Sequence, residues 1–151
     1  MLRRMIPAVV VAATLTGCSA GQDTAAAETA VHEFRQLLGA ERYLEIYMRA
    51  APDMRVGASE EGLADRFRAV RARLGTFRSA SRTNVSWNKT NLGTAVTLGY
   101  DARYANGRAR ETFVYRVLMG QAQLAGYAVQ IEGTPDTVQI GAMALRDFPR
   151  G

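Results

Sequence analysis

The sequence predicts an α+β fold in which N-terminal helices pack on a curved four-stranded antiparallel meander. Apolar residues recur at helical spacing up to residue 74, and they alternate with polar residues from residue 77 onward. The dipeptide Asn106-Gly107 lies between two alternating segments and is typical of a two-residue hairpin turn. A run of helices followed by a run of strands is the pattern of an α+β domain.

The helical pattern is predicted to begin at about Glu28 and to continue in two pieces. The apolar stripe of the first piece is Val31, Phe34 and Leu38. After Gly39 the spacing resumes at Tyr43 and runs to Met48, and Pro52 disfavours helical geometry at the residue before it. The two pieces are either two short helices or one bent helix.

Residues 59 to 74 are predicted to form the best-marked helix. Ser59 is suited to cap its start, Glu60 and Glu61 suit the positive end of the helix dipole, and Gly75 suits a left-handed stop. The apolar stripe is Leu63, Phe67, Val70 and Leu74. The arginines of this helix are read as a solvated face, with an anionic-surface site as the alternative.

Four strands are predicted after Gly75. The first runs from Phe77 to Trp87, and residues 88–93 form a polar loop. The two central strands flank Asn106-Gly107, so that Ala105 opposes Arg108. The last strand spans residues 124–131, and either Met119-Gly120 or Gly120-Gln121-Ala122 forms the turn before it.

The first 17 residues are predicted to be a signal peptide. Arg3 and Arg4 form a positive region, and a short apolar run from Met5 to Leu15 follows. The segment Leu15-Thr16-Gly17-Cys18 resembles the lipobox of bacterial lipoproteins. That resemblance implies cleavage before Cys18 and lipidation of this residue. An ordinary secretory signal with a chance cysteine is the alternative.

Lipidation implies a protein of the cell envelope that the lipid on Cys18 attaches to a membrane. Ser19 follows the cysteine, which by similarity to the sorting rule of enteric bacteria favours the outer membrane, facing the periplasm. Residues 18–27 are small and polar and are read as a flexible tether. The α+β domain is predicted to span residues 28–131, and residues 132–151 are read as a C-terminal tail.

Composition argues against several classes of function. Cleavage removes Arg3 and Arg4 and no acidic residue, so the formal charge falls from +5 to +3. This small excess, in a compartment without nucleic acid, argues against a nucleic-acid partner. Cys18 is the sole cysteine, so its lipidation leaves no thiol for disulfides, metal binding or catalysis.

The order of elements is similar to that of uncharacterised secreted bacterial domains of the nuclear-transport-factor-like and cystatin-like group. The segments that carry this resemblance are Ser59-Glu60-Glu61-Gly62-Leu63, Val70-Arg71-Ala72-Arg73-Leu74-Gly75, Tyr104-Ala105-Asn106-Gly107 with Glu111-Thr112, and Ala125-Gly126-Tyr127. The resemblance covers roughly residues 28–131 and implies a cone-shaped fold without implying an activity. Such domains often have an acidic or polar residue before the glycine of the last hairpin, where this chain has Met119.

A pocket is predicted between the helices and the inner face of the sheet. The residues predicted to line it are Val96, Leu98, Tyr100, Tyr104, Glu111, Phe113 and Tyr115. Glu111 is the one carboxylate in this apolar row, and a desolvated glutamate beside phenols can act as a general base. The favoured interpretation is instead that Glu111 lies close to the hairpin end, reaches water, or pairs with an arginine such as Arg103 or Arg71. No second carboxylate or histidine joins it in the row, so we assign no catalytic residue.

Two functions follow from this pattern. The favoured one is a non-catalytic, lipid-anchored periplasmic domain that binds an envelope protein, a peptide or a small apolar ligand. The alternative is a small lyase or isomerase that uses Glu111. We expect no cofactor and no metal, because His32 has no partner at ligand spacing and the chain lacks a phosphate-binding glycine loop.

Overall fold

The computed structural model describes residues 19–56 and 58–141. The predicted signal peptide, Cys18 and residues 142–151 of the predicted tail lie outside the described residues. The helices are α1 (Ser19–Gly39), α2 (Tyr43–Arg49), α3 (Pro52–Arg55) and α4 (Glu60–Leu74). Two separate helices, rather than one bent helix, are therefore confirmed around Gly39, but only α2 is short, because α1 has 21 residues.

Within the described residues, five strands follow the helices and form one antiparallel sheet. They are β1 (Phe77–Thr90), β2 (Gly93–Tyr104), β3 (Gly107–Leu118), β4 (Gln121–Ile131) and β5 (Thr137–Gly141). Each strand pairs with the next one along the chain, so the spatial order is β1-β2-β3-β4-β5. The α+β class and the antiparallel meander are confirmed, but the predicted number of four strands is wrong.

The start and the stop of α4 are those that the sequence predicts. The hydroxyl of Ser59 accepts a hydrogen bond from the Gly62 N–H at 3.1 Å. Gly75 ends the helix with a φ of 73°, a conformation that costs glycine little. The stripe that α4 turns toward the sheet is fully buried and consists of Leu63, Phe67, Val70 and Leu74.

The central hairpin has the predicted faces but a register that differs from the prediction by two residues. Tyr104 pairs with Gly107, so Ala105 and Asn106 are the two turn residues. The N–H groups of Ala105 and Asn106 donate to the carbonyls of Thr76 and Leu74, at 2.8 and 2.9 Å. These two hydrogen bonds fasten the turn to the end of α4 and fix the register. Because side chains alternate with period two, a shift of two residues keeps every side chain on its predicted face.

The second hairpin resolves the choice that the sequence left open. Leu118 pairs with Gln121, so the turn consists of Met119 and Gly120. Both residues have positive φ, at 50° and 75°, as in a type I′ turn. The β1–β2 turn is also short, because β1 runs to Thr90 and pairs there with Gly93. Residues 88–90, predicted to lie in a loop, therefore belong to the sheet.

The predicted tether is wrong for residues 19–27, because α1 begins at Ser19. Four of these residues are alanines, the residue type with the highest helix propensity. Thr24 and Ala27 are buried by the extended helix. Tertiary contacts therefore stabilise a helix where composition alone indicates a flexible segment.

The predicted tail is wrong for residues 137–141, because they form β5. This strand pairs with β4 from Thr137 opposite Gln130 to Gly141 opposite Gly126. Ile140 is fully buried, and its burial together with the ladder hydrogen bonds covers the edge of β4. The domain therefore extends beyond the predicted boundary at residue 131.

The core lies between the inner face of the sheet and the two long helices. At its centre the Phe34 ring of α1 meets Phe67, Phe113 and Tyr127, with ring centroids 5.5, 5.3 and 5.0 Å away. Offset and edge-to-face contacts of this kind add to the free energy of apolar burial. The aromatic cluster therefore joins α1, α4, β3 and β4.

Candidate functional site

Glu111 lies in the core on the apolar face of β3, as the alternation predicts. Its exposed fraction is 0%, and it pairs with Tyr100 across the β2–β3 ladder. One carboxylate oxygen, Oε1, accepts hydrogen bonds from the hydroxyls of Tyr104 at 2.6 Å and Tyr127 at 2.9 Å. Burial of a charged group is costly unless it is paired and hydrogen-bonded, and this arrangement meets that need.

The partner of the other carboxylate oxygen is Arg35 of α1. Its Nη2 donates to Glu111 Oε2 at 2.7 Å, and the arginine side chain is only 11% exposed. The sequence predicts an arginine partner as one option but names Arg103 and Arg71, and the structure corrects both. Arg35 is the only arginine in α1 and follows Phe34 of the apolar stripe, but nothing in the sequence singles it out from the other arginines as the partner of Glu111.

Aromatic rings surround the guanidinium of Arg35. Its Cζ atom lies 4.6 Å from the centroid of Phe77, 4.7 Å from that of Tyr100 and 5.6 Å from that of Phe113. Arginine is weakly hydrated and stacks on aromatic faces, so it tolerates this environment better than lysine. The ion pair and the rings together hold Arg35 in one position.

The two phenols that hold Glu111 are strongly shifted toward the protonated form. Burial raises the pKa of Tyr104, and the adjacent Glu111 raises it further. Burial likewise raises the pKa of Tyr127 well above its usual range, again with a contribution from Glu111. Both hydroxyls therefore remain hydrogen-bond donors to the carboxylate throughout the physiological pH range.

A cleft of about 200 Å³ opens beside this cluster, between α1, α4 and the start of β1. Its apolar wall consists of Leu38, Val70, Leu74 and Phe77. Arg35, Arg71 and Tyr104 supply the polar side of the wall. Arg35 and Tyr104 both contact Glu111, so the cleft and the buried carboxylate share two residues. Glu111 itself does not line the cleft.

The pocket that the sequence predicts is core rather than cavity. Its seven residues share one face, as predicted, and are at most 8% exposed: Val96, Leu98, Tyr100, Tyr104, Glu111, Phe113 and Tyr115. Side chains of α1 and α4 fill the space over them, with Phe34 against Phe113 as one example. Only Tyr104 reaches the cleft, and Tyr115 lines a separate hollow of about 60 Å³. Helix packing, which no strand pattern reveals, decides where space remains.

A wider groove of about 600 Å³ lies on the outer side of the sheet near the β2–β3 turn. Its polar lining includes Arg103, Arg108, Arg110 and Asp101. Arg110 and Asp101 approach to 3.7 Å and are well exposed, so their attraction is weak in solvent. The groove is open to solvent and offers no enclosed group for chemistry.

The other residues that the sequence singles out have structural contacts. His32 is exposed and forms a hydrogen bond with Gln36 at 3.1 Å. Trp87 donates from Nε1 to the Thr24 hydroxyl at 2.8 Å and so attaches α1 to β1. Across residues 19–56 and 58–141, no group of three or more His, Cys, Asp or Glu side chains is arranged to hold a metal ion.

Comparison with known proteins adds no family to this geometry. No protein-family model matches the chain, and no curated protein matches its sequence. Among the helices that the structure describes, none combines the length and the apolar character needed to cross a membrane. Function must therefore be argued from the cleft and the Glu111 cluster.

Proposed function

We propose that the chain is a lipid-anchored envelope domain that binds a small, largely apolar ligand in the cleft between α1, α4 and β1. The observation that carries this proposal is the cleft itself, with its apolar wall and its two arginines. A volume of about 200 Å³ is below the range of most drug-sized sites, so the ligand is small.

The arginines of the cleft favour a ligand that carries one hydrogen-bond acceptor or anionic group. Arg71 donates from Nη2 to the Gly39 carbonyl and approaches Glu41 with Nη1, both at 3.0 Å. The Nε atoms of Arg35 and Arg71 are buried, and neither has an acceptor among the described residues. Guanidinium groups bind carboxylates with charge-assisted hydrogen bonds. A ligand that carries an acceptor group should therefore bind this wall more tightly than it would bind an apolar wall.

Glu111 and its phenols serve as the support of this wall. The carboxylate holds Arg35 from behind, and the Tyr104 hydroxyl is held by the same carboxylate. A wall whose groups are fixed before binding loses less conformational entropy when the ligand arrives. We therefore assign Glu111 a positioning role in ligand binding.

The cone shape of the domain, the lipidation of Cys18 and the location at the outer membrane are part of the same proposal. Helices on one face of a meander with bulges in β1 and β4 support the cone-shaped, cystatin-like shape. The lipobox segment supports lipidation of Cys18 and location at the outer membrane, facing the periplasm. Two or more acyl chains anchor a protein stably, whereas one chain is marginal.

Binding of hexanoate and of hexanol by the Cys18→Ser protein, followed by NMR, tests the cleft. The two probes share an apolar chain and differ in the carboxylate, so hexanoate should bind more tightly. Gly39→Leu adds bulk at the cleft, where a Cβ meets no neighbour within 4 Å, and should weaken hexanoate binding about tenfold, or ~1.4 kcal/mol.

Gly21→Leu is the matched control, because Gly21 lies in the same helix, with equally open space, away from the cleft. Both changes replace a helical glycine by a better helix former, so both variants should fold. Equal hexanoate affinities in the two variants would exclude binding in the cleft.

A small lyase or isomerase that uses Glu111 is the second candidate. The observation in its favour is the convergence of two tyrosine hydroxyls on the carboxylate, an arrangement that can serve acid–base chemistry. Such a base must reach its substrate, and here Arg35 and Tyr104 separate Glu111 from the cleft. This candidate therefore requires Arg35 to leave Glu111 when substrate binds.

A further inference from the structure

Two hairpin turns lie side by side at one end of the sheet. Thr94 pairs with Val117 on the neighbouring strand, so the β1–β2 turn and the end of β3 are adjacent. The contact is close, because a Cβ added to Gly93 would lie 2.5 Å from the Val117 carbonyl oxygen. Residues of both turns therefore contribute to one surface.

This surface exposes large apolar side chains, which hairpin turns seldom carry. Leu92, Leu118 and Met119 are 53%, 57% and 94% exposed, and we call them the apolar turn patch. Met119 also has a φ of 50°, a conformation that asparagine or glycine adopts at lower cost. Fold stability alone therefore does not account for a methionine at this position.

The opposite end of the sheet has a different character. The β2–β3 turn there presents Ala105 and Asn106, and the connection from β4 to β5 contains Glu132, Gly133 and Asp136. Large apolar residues at turn tips are thus confined to one end of the described sheet. This asymmetry indicates that the two ends meet different surroundings.

The start of α1 lies at the same end as the apolar turn patch. Three contacts order the helix against β1: Arg35 over Phe77, Glu28 paired with Arg82, and Thr24 bonded to Trp87. Residue numbers fall along α1 as they rise along β1, so the helix start points toward the β1–β2 turn. Ser19 lies about 7.5 Å beyond Thr24 on the helix axis, at a rise of about 1.5 Å per residue.

The charge of the two turns suits an anionic surface, and the one acidic residue in the first two turns of α1 is Asp23. Residues 86–96 and 114–124, which form the two turns and their flanking strands, contain no aspartate or glutamate. They contain two basic residues: Arg116, which is paired with Asp53 of α3, and Lys89, the one lysine of the chain, which is exposed. A basic side chain beside exposed apolar residues is typical of surfaces that rest in the headgroup region of a bilayer.

We propose that the domain rests directly on the bilayer, with Leu92, Leu118 and Met119 inserted at the level of the headgroups. This inference depends on the proposed lipidation of Cys18. Cys18 is joined by one peptide bond to Ser19, where α1 begins, so the helical start leaves no flexible length between lipid and domain. The orientation leaves the cleft, near the far end of α1, facing the periplasm.

Quenching by brominated lipids tests this orientation with two single-tryptophan reporters. The chain has one tryptophan, so Trp87→Phe provides a background for Leu92→Trp and for the control Leu44→Trp. Leu44 matches Leu92 in exposure, at 52%, and lies on α2, past the far end of the 21-residue α1. Each full-length protein is expressed with its signal, purified in acylated form, and placed in vesicles of brominated phosphatidylethanolamine and phosphatidylglycerol.

We expect the tryptophan at position 92 to be strongly quenched and blue-shifted, and the one at position 44 to remain unquenched. In the Leu92→Trp protein, Met119→Asn should reduce quenching, whereas Met48→Asn on α2 should not. Equal quenching of the two reporters would overturn the orientation. Emission at position 92 that is blue-shifted with protein concentration but unquenched would assign the patch to a second copy of the chain.

In a third possible result, neither reporter is quenched or blue-shifted. The apolar turn patch would then lie exposed above the membrane, which would overturn bilayer contact and favour a protein partner. Incorporation of a fatty-acid probe at Cys18 is measured on the same samples. Its absence would refute the lipid anchor itself, whereas its presence with unquenched reporters refutes only the orientation.

Discussion

Replacing Glu111 by glutamine removes one negative charge from the core without changing the shape of the side chain. The amide oxygen can still accept from Tyr104 or Tyr127, but the amide nitrogen cannot accept from Arg35. The guanidinium, 11% exposed, is then left without its counter-charge. Breaking a buried ion pair by removing one partner costs about 3–5 kcal/mol. The nearby rings offset part of this cost, by up to about 2 kcal/mol.

We therefore expect Glu111→Gln to lower the free energy of unfolding by roughly 1–5 kcal/mol, after both effects. From the sequence alone we expect this change to leave folding intact, since a glutamate that reaches water tolerates it, so the buried ion pair alters the prediction. Urea unfolding of the Cys18→Ser protein, followed by circular dichroism, measures the effect. A domain is stable by only about 5–15 kcal/mol, so the change in midpoint should be large.

Asp101→Asn is the matched control. Asp101 also faces an arginine, Arg110, at 3.7 Å, but both side chains are at least 65% exposed. An exposed pair of this kind contributes about 0–1 kcal/mol. Equal unfolding midpoints for Glu111→Gln and Asp101→Asn would refute the view that Arg35 depends on its buried partner.

Three further outcomes are expected. Phe67→Ala should lower the free energy of unfolding by about 3–5 kcal/mol, because it opens a cavity in the aromatic cluster. Arg68→Ala, on the exposed face of the same helix, should change it by about 0.5 kcal/mol or less. Equal melting temperatures for the two variants would contradict the docking of α4 on the sheet. Tyr104 and Tyr127 have raised pKa values, so their contribution to stability is complete below pH ~10 and is lost as pH rises through the folded values. Absorbance titration should show them ionising only with alkaline unfolding, and normal ionisation in the folded protein would disprove their burial. Cys18→Ser should abolish labelling by a fatty-acid probe, and continued labelling would refute the lipobox interpretation.

Sequence periodicity predicted which face of each element is buried, and the structure confirms this for α4 and for the central hairpin. The predicted faces of the central hairpin are correct although the predicted register is wrong by two residues, because side-chain direction in a strand repeats every two residues. The true register depends on the hydrogen bonds of Ala105 and Asn106 to the end of α4. Those contacts join segments that are distant in sequence, so no local pattern indicates them.

In the candidate site, too, the sequence predicts one part and the tertiary structure decides the other. Alternation along β3 places Glu111 in the core, and a carboxylate there requires a positive partner. The choice of Arg35 follows from how α1 crosses the sheet, and the cleft exists only where α1, α4 and β1 meet without filling the space between them. The strand pattern predicts a cavity at these residues because it contains no information on the volume of the helix side chains that fill the space.

By itself the sequence determined the α+β class, the caps of α4, the approximate positions of the hairpins, the buried faces and the segment that resembles a lipobox. Each of these depends on side chains within a few residues of one another. Tertiary structure alone decided the helix at Ser19, the fifth strand, the partner of Glu111 and the position of the cleft. The physical reason is that a weak local preference, such as the alanine-rich start of α1 or the short run Thr137–Gly141, becomes structure only when distant elements bury it.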